Sequence, residues 1–330
     1  MQQAAPDILA VVKAKRMHNA TPRINRLPLE ILTLIFQLVQ TRSNANIFPP
    51  ANSASEANGW LKILRVCHEW RRVALAVPFL WKNIRIPGTQ ALIDHEGLSE
   101  WFLHNAGKEV LLSWEIDLEY ITLGTFDDDW GLEERNFSAK FLDTFAANFH
   151  RIESLSIQCA FYVHLDPARR RLFEVVTGPM PSLRALDMRL PRVKFPAFGF
   201  TGITHFSTCA LPLPNINFAQ LSHLSLEHQA PEQRPSLKLF LEFLKANPSL
   251  EMLRLNDAGP VLSMADLEGL GYPPGVIELP HLHRIQYQIS KADAMARSDA
   301  FYWLLVCLCL PEDVTIHLAS PKISAALRHS

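Results

Sequence analysis

The chain is poor in the residues and motifs that mark common enzyme families. Only 13 of its 330 residues are glycine, and it has no Walker loop and no GxGxxG or GxSxG pattern. It has no HExxH motif either, and the closest histidine pair, His281 and His283, has no third ligand at a recognisable spacing. We therefore expect no catalytic residue, no metal site and no cofactor.

Cysteine and net charge are scarce as well. The five cysteines are an odd number without a CxxC pair, which favours a reducing compartment, and we expect the cytoplasm or the nucleus. A formal net charge of −1 provides no general attraction for nucleic acid. No apolar stretch reaches the length needed to span a bilayer. We therefore expect neither nucleic acid nor a membrane as a partner.

The residues that are present favour a globular protein with two domains. The chain is 48% hydrophobic, enough for a sizeable core, and a length of 330 residues favours more than one domain. Apolar residues have helical spacing before residue 86 and strand-like repeats further on. The sequence thus predicts an N-terminal arm at residues 1–23, a helical domain at 24–86 and a second domain at 100–330.

The helical domain begins with an unusually apolar helix. Pro28 suits the first turn, where its missing N–H costs nothing, and Glu30 lies near the positive end of the helix dipole. One apolar stripe has helical spacing and consists of Ile31, Leu32, Ile35, Phe36 and Val39. Three more residues widen it beyond one buried face: Leu29, Leu34 and Leu38. A partner protein is one candidate for covering the second face.

A long insert follows this helix. Residues 41–58 are rich in serine, asparagine, alanine and proline, which predicts a loop. Ser53 and Glu56 have the spacing of a capping box and predict that a helix starts there. Two helical stripes then run from Trp60 to Val77, and Pro78 ends the helical pattern.

The order of these motifs resembles the F-box, the module by which a substrate receptor docks onto the Skp-family adaptor of a cullin-type ubiquitin ligase. The resemblance implies a small three-helix domain and an adaptor-binding set of Leu27, Pro28, Ile31, Leu32, Ile35, Phe36, Val66, Cys67, Trp70, Leu80 and Trp81. The 41–58 insert departs from compact F-boxes, although expanded fungal F-box proteins often carry one. The alternative interpretation is three amphipathic helices of an ordinary helical domain.

The second domain contains a loose internal repeat, L-x-x-L-x-L. It begins at Ile152, Leu183, Leu221, Leu250 and Leu282, with spacings of 31, 38, 29 and 32 residues. Ile203-x-x-Phe206 lies in the longest gap and is a candidate degenerate repeat. Helical patterns at 137–148 and 237–244 lie between repeats. Alternating apolar residues at 108–118 and 314–318 predict a first and a last strand.

This helix–turn–strand unit resembles the irregular leucine-rich repeat that follows many F-boxes. The resemblance implies an α/β solenoid, in which each repeat buries its apolar face against its neighbours. The alternative is an α/β domain with a conventional parallel sheet. Side chains that alternate with the inward leucines would line one open surface, where we expect target binding by Asp187, Arg189, His223, Glu227, Arg254, Asn256, Arg284, Gln286 and Gln288.

Together the two resemblances imply a non-catalytic substrate receptor of an SCF ubiquitin ligase. Its partners would be the Skp-family adaptor, through it cullin, and a protein target that the sequence does not identify. The alternative is an interaction scaffold whose F-box-like helices bind a partner without driving ubiquitination.

Overall fold

The structure is a computed structural model, and it describes residues 10, 13–15, 17, 23–45, 59–86, 95–117, 139–158, 167–189, 202–210, 218, 220–263, 276–289 and 294–319. The chain divides into two compact units, Met1–Leu112 and Ser113–Ser330. The first is mainly helical and the second is built on parallel strands. A helical N-terminal region followed by an α/β sheet is therefore confirmed.

The described residues of the N-terminal unit form three α-helices and one short strand, and the described residues of the predicted arm are helical as well. The elements are α1 (Leu29–Ala45), α2 (His68–Leu75), β1 (Asn83–Ile86) and α3 (His95–Ala106). Short 3-10 helices lie between them at Arg23–Arg26, Gly59–Arg65 and Pro78–Trp81. Glu30 lies in the first turn of α1, where its charge favours the helix.

Two boundaries differ from those expected. The helix α1 continues to Ala45, so the first five residues of the predicted 41–58 loop are helical, whereas residues 46–58, including the predicted capping box, lie outside the described residues. The run from Trp60 to Val77 is not one helix but a 3-10 helix and α2, separated at Val66 and Cys67. The extended backbone of Cys67 interrupts the helix, which periodicity alone does not reveal.

Aromatic rings dominate the core of this unit. Trp60 and Trp81 are 1% and 0% exposed, and their ring centroids lie 5.1 Å apart in an edge-to-face arrangement. Phe102 of α3 lies 5.3 Å from Trp81. The indole N–H of Trp81 donates to the carbonyl of Ala74 at 2.8 Å, so the buried polar atom is satisfied.

The second unit is a parallel sheet with helices between its strands. Its strands are β2 (Leu112–Asp117), β3 (Ile152–Gln158), β4 (Ala185–Arg189), β5 (His205–Cys209), β6 (His223–Glu227), β7 (Met252–Asn256), β9 (Arg284–Gln288) and β11 (Thr315–Ala319). They lie side by side in that order, and all neighbours from β3 to β11 pair in parallel. A separate pair joins β8 (Ile277–Glu278) to β10 (Leu308–Cys309).

Helices of this unit cover one face of the sheet. They are α4 (Ala139–Ala147), α5 (Pro167–Val176), α6 (Leu237–Lys245) and α7 (Ala294–Val306). Ser236 caps α6 by accepting a hydrogen bond from the Leu239 N–H, and Leu237, Phe240, Leu241 and Leu244 are buried. Phe145 of α4 packs 4.9 Å from the Trp114 ring.

The five predicted repeats lie on β3, β4, β6, β7 and β9, with their aliphatic or aromatic positions buried. The candidate degenerate repeat at Ile203 leads into β5, and its two apolar positions, Ile203 and Phe206, are buried. The predicted first strand is β2, and its buried positions are Leu112, Trp114 and Ile116. The predicted last strand is β11, although Ile316 is 37% exposed. No helix among the described residues is long and apolar enough to cross a membrane.

Candidate protein-binding surfaces

The first candidate surface is an exposed apolar stripe on α1. Ile31, Leu34 and Leu38 are 42%, 54% and 63% exposed. Their spacing of three and four residues places them on one face of the helix. We call these three residues the α1 stripe.

The opposite face of the same helix is buried. Leu32, Phe36 and Gln40 recur every fourth residue and are 2%, 0% and 4% exposed. The Gln40 amide donates to the carbonyl of Leu80 at 2.7 Å, which compensates for burying a polar group in this position. Since the domain core already occupies this face, the α1 stripe is additional apolar surface that the described residues leave in contact with solvent.

The eleven predicted adaptor-binding residues separate into two groups. Leu32, Phe36, Leu80 and Trp81 are core residues. The others are exposed or half-buried: Leu27, Pro28, Ile31, Ile35, Val66, Cys67 and Trp70. Of these, Val66 is the most open hydrophobic side chain, at 54% exposed. The motif string therefore combines positions that hold the module together with positions that can meet another protein.

Cys67 and Trp70 have structural contacts as well. The Cys67 thiol accepts a hydrogen bond from the backbone N–H of Trp70 at 3.5 Å and caps α2. The Trp70 ring lies 5.2 Å from that of Phe36. Its indole N–H donates to the side-chain oxygen of Asn25 at 2.6 Å. Trp70 thus connects α2 to α1 and to the turn before it.

Several exposed apolar residues fall outside the predicted adaptor set. They are Ile24, Leu29, Leu34, Leu38, Leu75 and Phe79, each between 38% and 63% exposed. Leu29, Leu34 and Leu38 had a signal in the sequence, because they widen the α1 apolar surface beyond one face. Phe79 is next to the Leu80–Trp81 pair, and only the 3-10 helix at Pro78–Trp81 determines which of these side chains points inward.

The second candidate surface is the side of the sheet that faces away from the buried strand residues. We call it the polar face, and it contains all nine predicted target-binding residues. Arg254, Arg284 and Gln288 are exposed. The half-buried members are Asp187, Arg189, His223, Asn256 and Gln286, whereas Glu227 is only 7% exposed. The parallel register places Arg189, Glu227, Asn256 and Gln288 in one row across the sheet.

An ion-pair network connects four of these residues. Arg189 contacts Asp187 at 3.2 Å and Glu227 at 4.0 Å, and Arg254 contacts the other Glu227 oxygen at 3.4 Å. Burial opposes the charge on Arg189, yet the two carboxylates raise its pKa overall. Cys209 lies between β4 and β6 in the same row, and burial, followed by the charge of Glu227, raises the pKa of its thiol. Cys209 is therefore held as a neutral thiol.

A groove lies beside this network between β7, β9 and β11. It has a volume of about 210 Å³, and its polar lining consists of Arg254, Asn256, Gln286, Gln288 and His317. His317 was not among the predicted residues, because the repeat pattern is weakest at β11. The described residues contain no group of three or more histidine, cysteine, aspartate or glutamate side chains arranged to hold a metal ion.

Two histidines stack at the other end of the polar face. The rings of His205 and His223 are nearly parallel, with centroids 4.1 Å apart. Each Nδ1 lies within 2.9 Å of the hydroxyl of the preceding residue, Thr204 or Ser222. Both hydroxyls donate to backbone carbonyls, which leaves each of them able to accept a hydrogen bond from the neighbouring Nδ1 in the tautomer that carries its proton there. The sequence predicted His223 but not its partner, because β5 has only a degenerate repeat.

Comparison with known proteins adds one match. Residues 24–87 match the family model described as F-box-like. No curated protein matches the chain, and no solved structure does. The matched segment contains α1, α2 and the Pro78–Trp81 turn, and with them the α1 stripe. The N-terminal unit of this protein therefore contains an F-box-like domain, which supports a role in protein–protein interaction.

Proposed function

We propose that this protein is the substrate-receptor subunit of an SCF-type ubiquitin ligase. The observation that carries the proposal is the F-box-like match at residues 24–87 on a domain with an exposed apolar helix face. Domains of this family generally bind Skp-family adaptors. Apolar surface exposed in this way is favourable to bury, at roughly 25 cal/mol per Å².

The adaptor contact is proposed to centre on the α1 stripe and Val66. Leu27, Pro28, Ile35, Cys67 and Trp70 are at the edge of this contact and also support the module. The buried members of the motif string, Leu32, Phe36, Leu80 and Trp81, act on adaptor binding through the shape of the domain. A few well-placed side chains usually account for most of the binding free energy, and we assign that role to Leu34 and Leu38.

The second unit is proposed to be an irregular leucine-rich-repeat solenoid that binds the target. Two features support this: the repeat coincides with strands of the main sheet, and the strands of that sheet lie side by side in chain order, from β2 to β7 and then β9 and β11. A stack of repeats produces such an order, since each repeat contacts only its neighbours. The target would bind to the polar face, through the nine residues named above.

No residue of this chain is proposed to react chemically. The receptor would act in the cytoplasm or the nucleus by holding a target close to a ubiquitin-charged enzyme elsewhere on the cullin assembly. Converting an encounter between two proteins into a step within one complex lowers the entropic part of the barrier.

The test is a double substitution, Leu34→Asp with Leu38→Asp, in the full chain. Both side chains are exposed, so the domain should fold, whereas placing two carboxylates in an apolar contact should weaken adaptor binding by about 2 kcal/mol or more, about thirtyfold in Kd. Binding is measured by calorimetry with a purified Skp-family adaptor. Leu239→Asp is the matched control, because Leu239 is a 47% exposed leucine on helix α6 of the second unit.

Wild-type protein that does not bind the adaptor would refute the proposal. So would a double variant that binds as tightly as the Leu239→Asp control. If the adaptor binds but cullin is not recovered with it from cells, the protein is instead a scaffold that is not coupled to ubiquitination.

A further inference from the structure

Charge changes sign across the polar face. Strand β2 carries Glu115 and Asp117 at its half-buried positions. Strands β4 and β6 hold both signs, in the network of Arg189 with Asp187 and Glu227. From β7 onwards none of the strand residues on this face is acidic. The basic and amide side chains are Arg254, Asn256, Arg284, Gln286, Gln288 and His317, and Met252, Thr315 and Ala319 complete the face.

The three arginines differ in how fully their charge is compensated. Arg189 has two carboxylate partners, and Arg254 has one, which it shares with Arg189. Arg284 makes no ion pair with a carboxylate in the part of the chain that the structure describes. Uncompensated positive charge therefore increases from β4 to β9, and at β9 it is available to a partner.

The Arg284 side chain is also held in place. With the Gln286 amide turned so that its oxygen faces the guanidinium, that oxygen accepts two hydrogen bonds from Arg284, at 2.6 and 3.0 Å. The amide is neutral, so the pair keeps its full positive charge. A guanidinium with a fixed orientation loses less entropy when it binds a carboxylate, and it can do so through two parallel hydrogen bonds.

The adjoining groove offers the complementary polar group. Asn256 lines this groove, and its side-chain oxygen is buried without a hydrogen-bond partner among the described residues. An unmade hydrogen bond on a buried acceptor costs about 1–3 kcal/mol. A donor such as a peptide N–H would satisfy it. The groove volume of about 210 Å³ suits a short extended segment rather than a folded surface.

We infer that the β7–β11 end of the polar face binds an extended, acidic segment of the target, with its carboxylates over Arg254 and Arg284 and its backbone at Asn256. The inference rests on the proposed function for its premise that the face binds a protein. A protein segment is favoured over single-stranded nucleic acid because the described strand residues of this end place no exposed aromatic ring on the polar face for bases to stack on, Tyr287 being 5% exposed.

The experiment uses the full chain and a fluorescein-labelled peptide of alternating glutamate and serine, read by fluorescence anisotropy. Peptides of the same length with glutamine or lysine in place of glutamate are compared, as is a labelled oligothymidylate. The glutamate peptide should bind, and more tightly than the other three probes. Arg284→Gln should weaken its binding by about tenfold, and Arg254→Gln with Arg284→Gln should weaken it further.

A matched control removes the same total charge from the helical side of the unit. Arg171→Gln with Lys245→Gln changes two exposed cations, on α5 and α6, and should leave peptide binding unchanged. Thermal melts of all variants check that they are folded. Arg284→Gln alone leaves the Arg254–Glu227 pair intact, so its effect does not depend on disturbing the ion-pair network.

Four results would overturn the inference. They are no binding of the glutamate peptide by the wild type, equal binding of the glutamine peptide, equal loss in the helical control, and tighter arginine-dependent binding of the oligothymidylate. None of them concerns the adaptor. If the wild-type protein does not bind the adaptor but still prefers the glutamate peptide, and this preference depends on Arg254 and Arg284, the proposed function is refuted and the acidic-segment site is not.

Discussion

The two candidate surfaces expose side chains of opposite character to solvent. On α1 the face away from the core is apolar, and Leu34 and Leu38 are more than half exposed. On the sheet the face away from the core is polar, and ion pairs connect its side chains. An exposed apolar stripe is costly in water and favours a permanent cover. A polar face is stable while uncovered, so it can remain open until a partner arrives. This difference suits the proposed receptor, whose adaptor is constant and whose target is variable.

The largest expected effect is the loss of stability when a core residue on the buried side of the N-terminal unit is truncated. Trp81→Ala removes a fully buried ring that contacts Trp60, Trp101 and Phe102. Loss of such a ring typically costs about 3–5 kcal/mol, and a small helical module has little stability to lose. We expect the amides of α1 to lose hydrogen-exchange protection in the full chain.

The control for this substitution is Trp101→Ala, which removes the same ring type from the same cluster. Trp101 is 37% exposed, so less apolar area is lost and less cavity remains. We expect a clearly smaller loss of protection than for Trp81. Equal effects would mean that burial does not distinguish the two rings.

A smaller effect tests the polar face itself. Arg189→Gln leaves Asp187 and the nearly buried Glu227 without their shared cation, and we expect a loss of about 1–3 kcal/mol in the free energy of unfolding. Arg284→Gln removes a cation that has no carboxylate partner among the described residues, and the change should stay within about 0.5 kcal/mol.

Urea unfolding of both variants checks this difference. Similar stabilities for the two variants would mean that the carboxylates around Arg189 contribute no more to folding than the surroundings of Arg284 do. The three arginines would then not differ in how far carboxylates compensate their charge. The contrast also limits mutagenesis of the proposed target site, because reversing Arg189 together with Arg254 and Arg284 would change folding stability as well as binding.

Much of the fold was predictable because it follows from local periodicity. The two-residue alternation of β2 and of the repeats follows from inward and outward side chains, and it identified β2, β3, β4, β6, β7 and β9. The motif string located the F-box-like domain for a similar reason, since the apolar residues within each of its segments recur at helical spacing. Even the degenerate repeat at Ile203 belongs to a strand, β5, whose neighbours set its register.

The features that could not be predicted depend on particular side-chain contacts, some between residues close in the sequence and one between separate strands. The break at Cys67 reflects its thiol capping α2, and the inward direction of Trp81 reflects its hydrogen bond to Ala74. The pairing of Arg189 with Glu227 joins strands that are not neighbours, across β5. Such contacts cannot be recognised from sequence spacing. The sequence therefore did not predict that carboxylates compensate the charges of Arg189, Arg254 and Arg284 to different extents.

The smallest effect concerns the stacked histidines at the other end of the polar face. Burial, followed by the nearby His205 ring, lowers the pKa of His223 below its ordinary value; Glu251 acts in the opposite direction and His283 in the same direction. The folded protein therefore takes up this proton less readily than the unfolded chain. The contribution to stability is intact above the ordinary histidine pKa of about 6.5 and is lost as the pH falls from there through the folded value.

Replacing His205 with glutamine should raise the pKa of His223 towards its ordinary value, because the neighbouring charge is removed. The rise should be partial, since burial is the larger cause and remains. The imidazole Cε1–H shift, followed by NMR against pH in both proteins and assigned with a His223→Gln variant, measures the change. A His223 pKa that is unchanged or lower in the variant would mean that a charge on the His205 ring does not lower the His223 pKa, although the two rings stack at 4.1 Å. Protonation of one histidine would then be independent of the other.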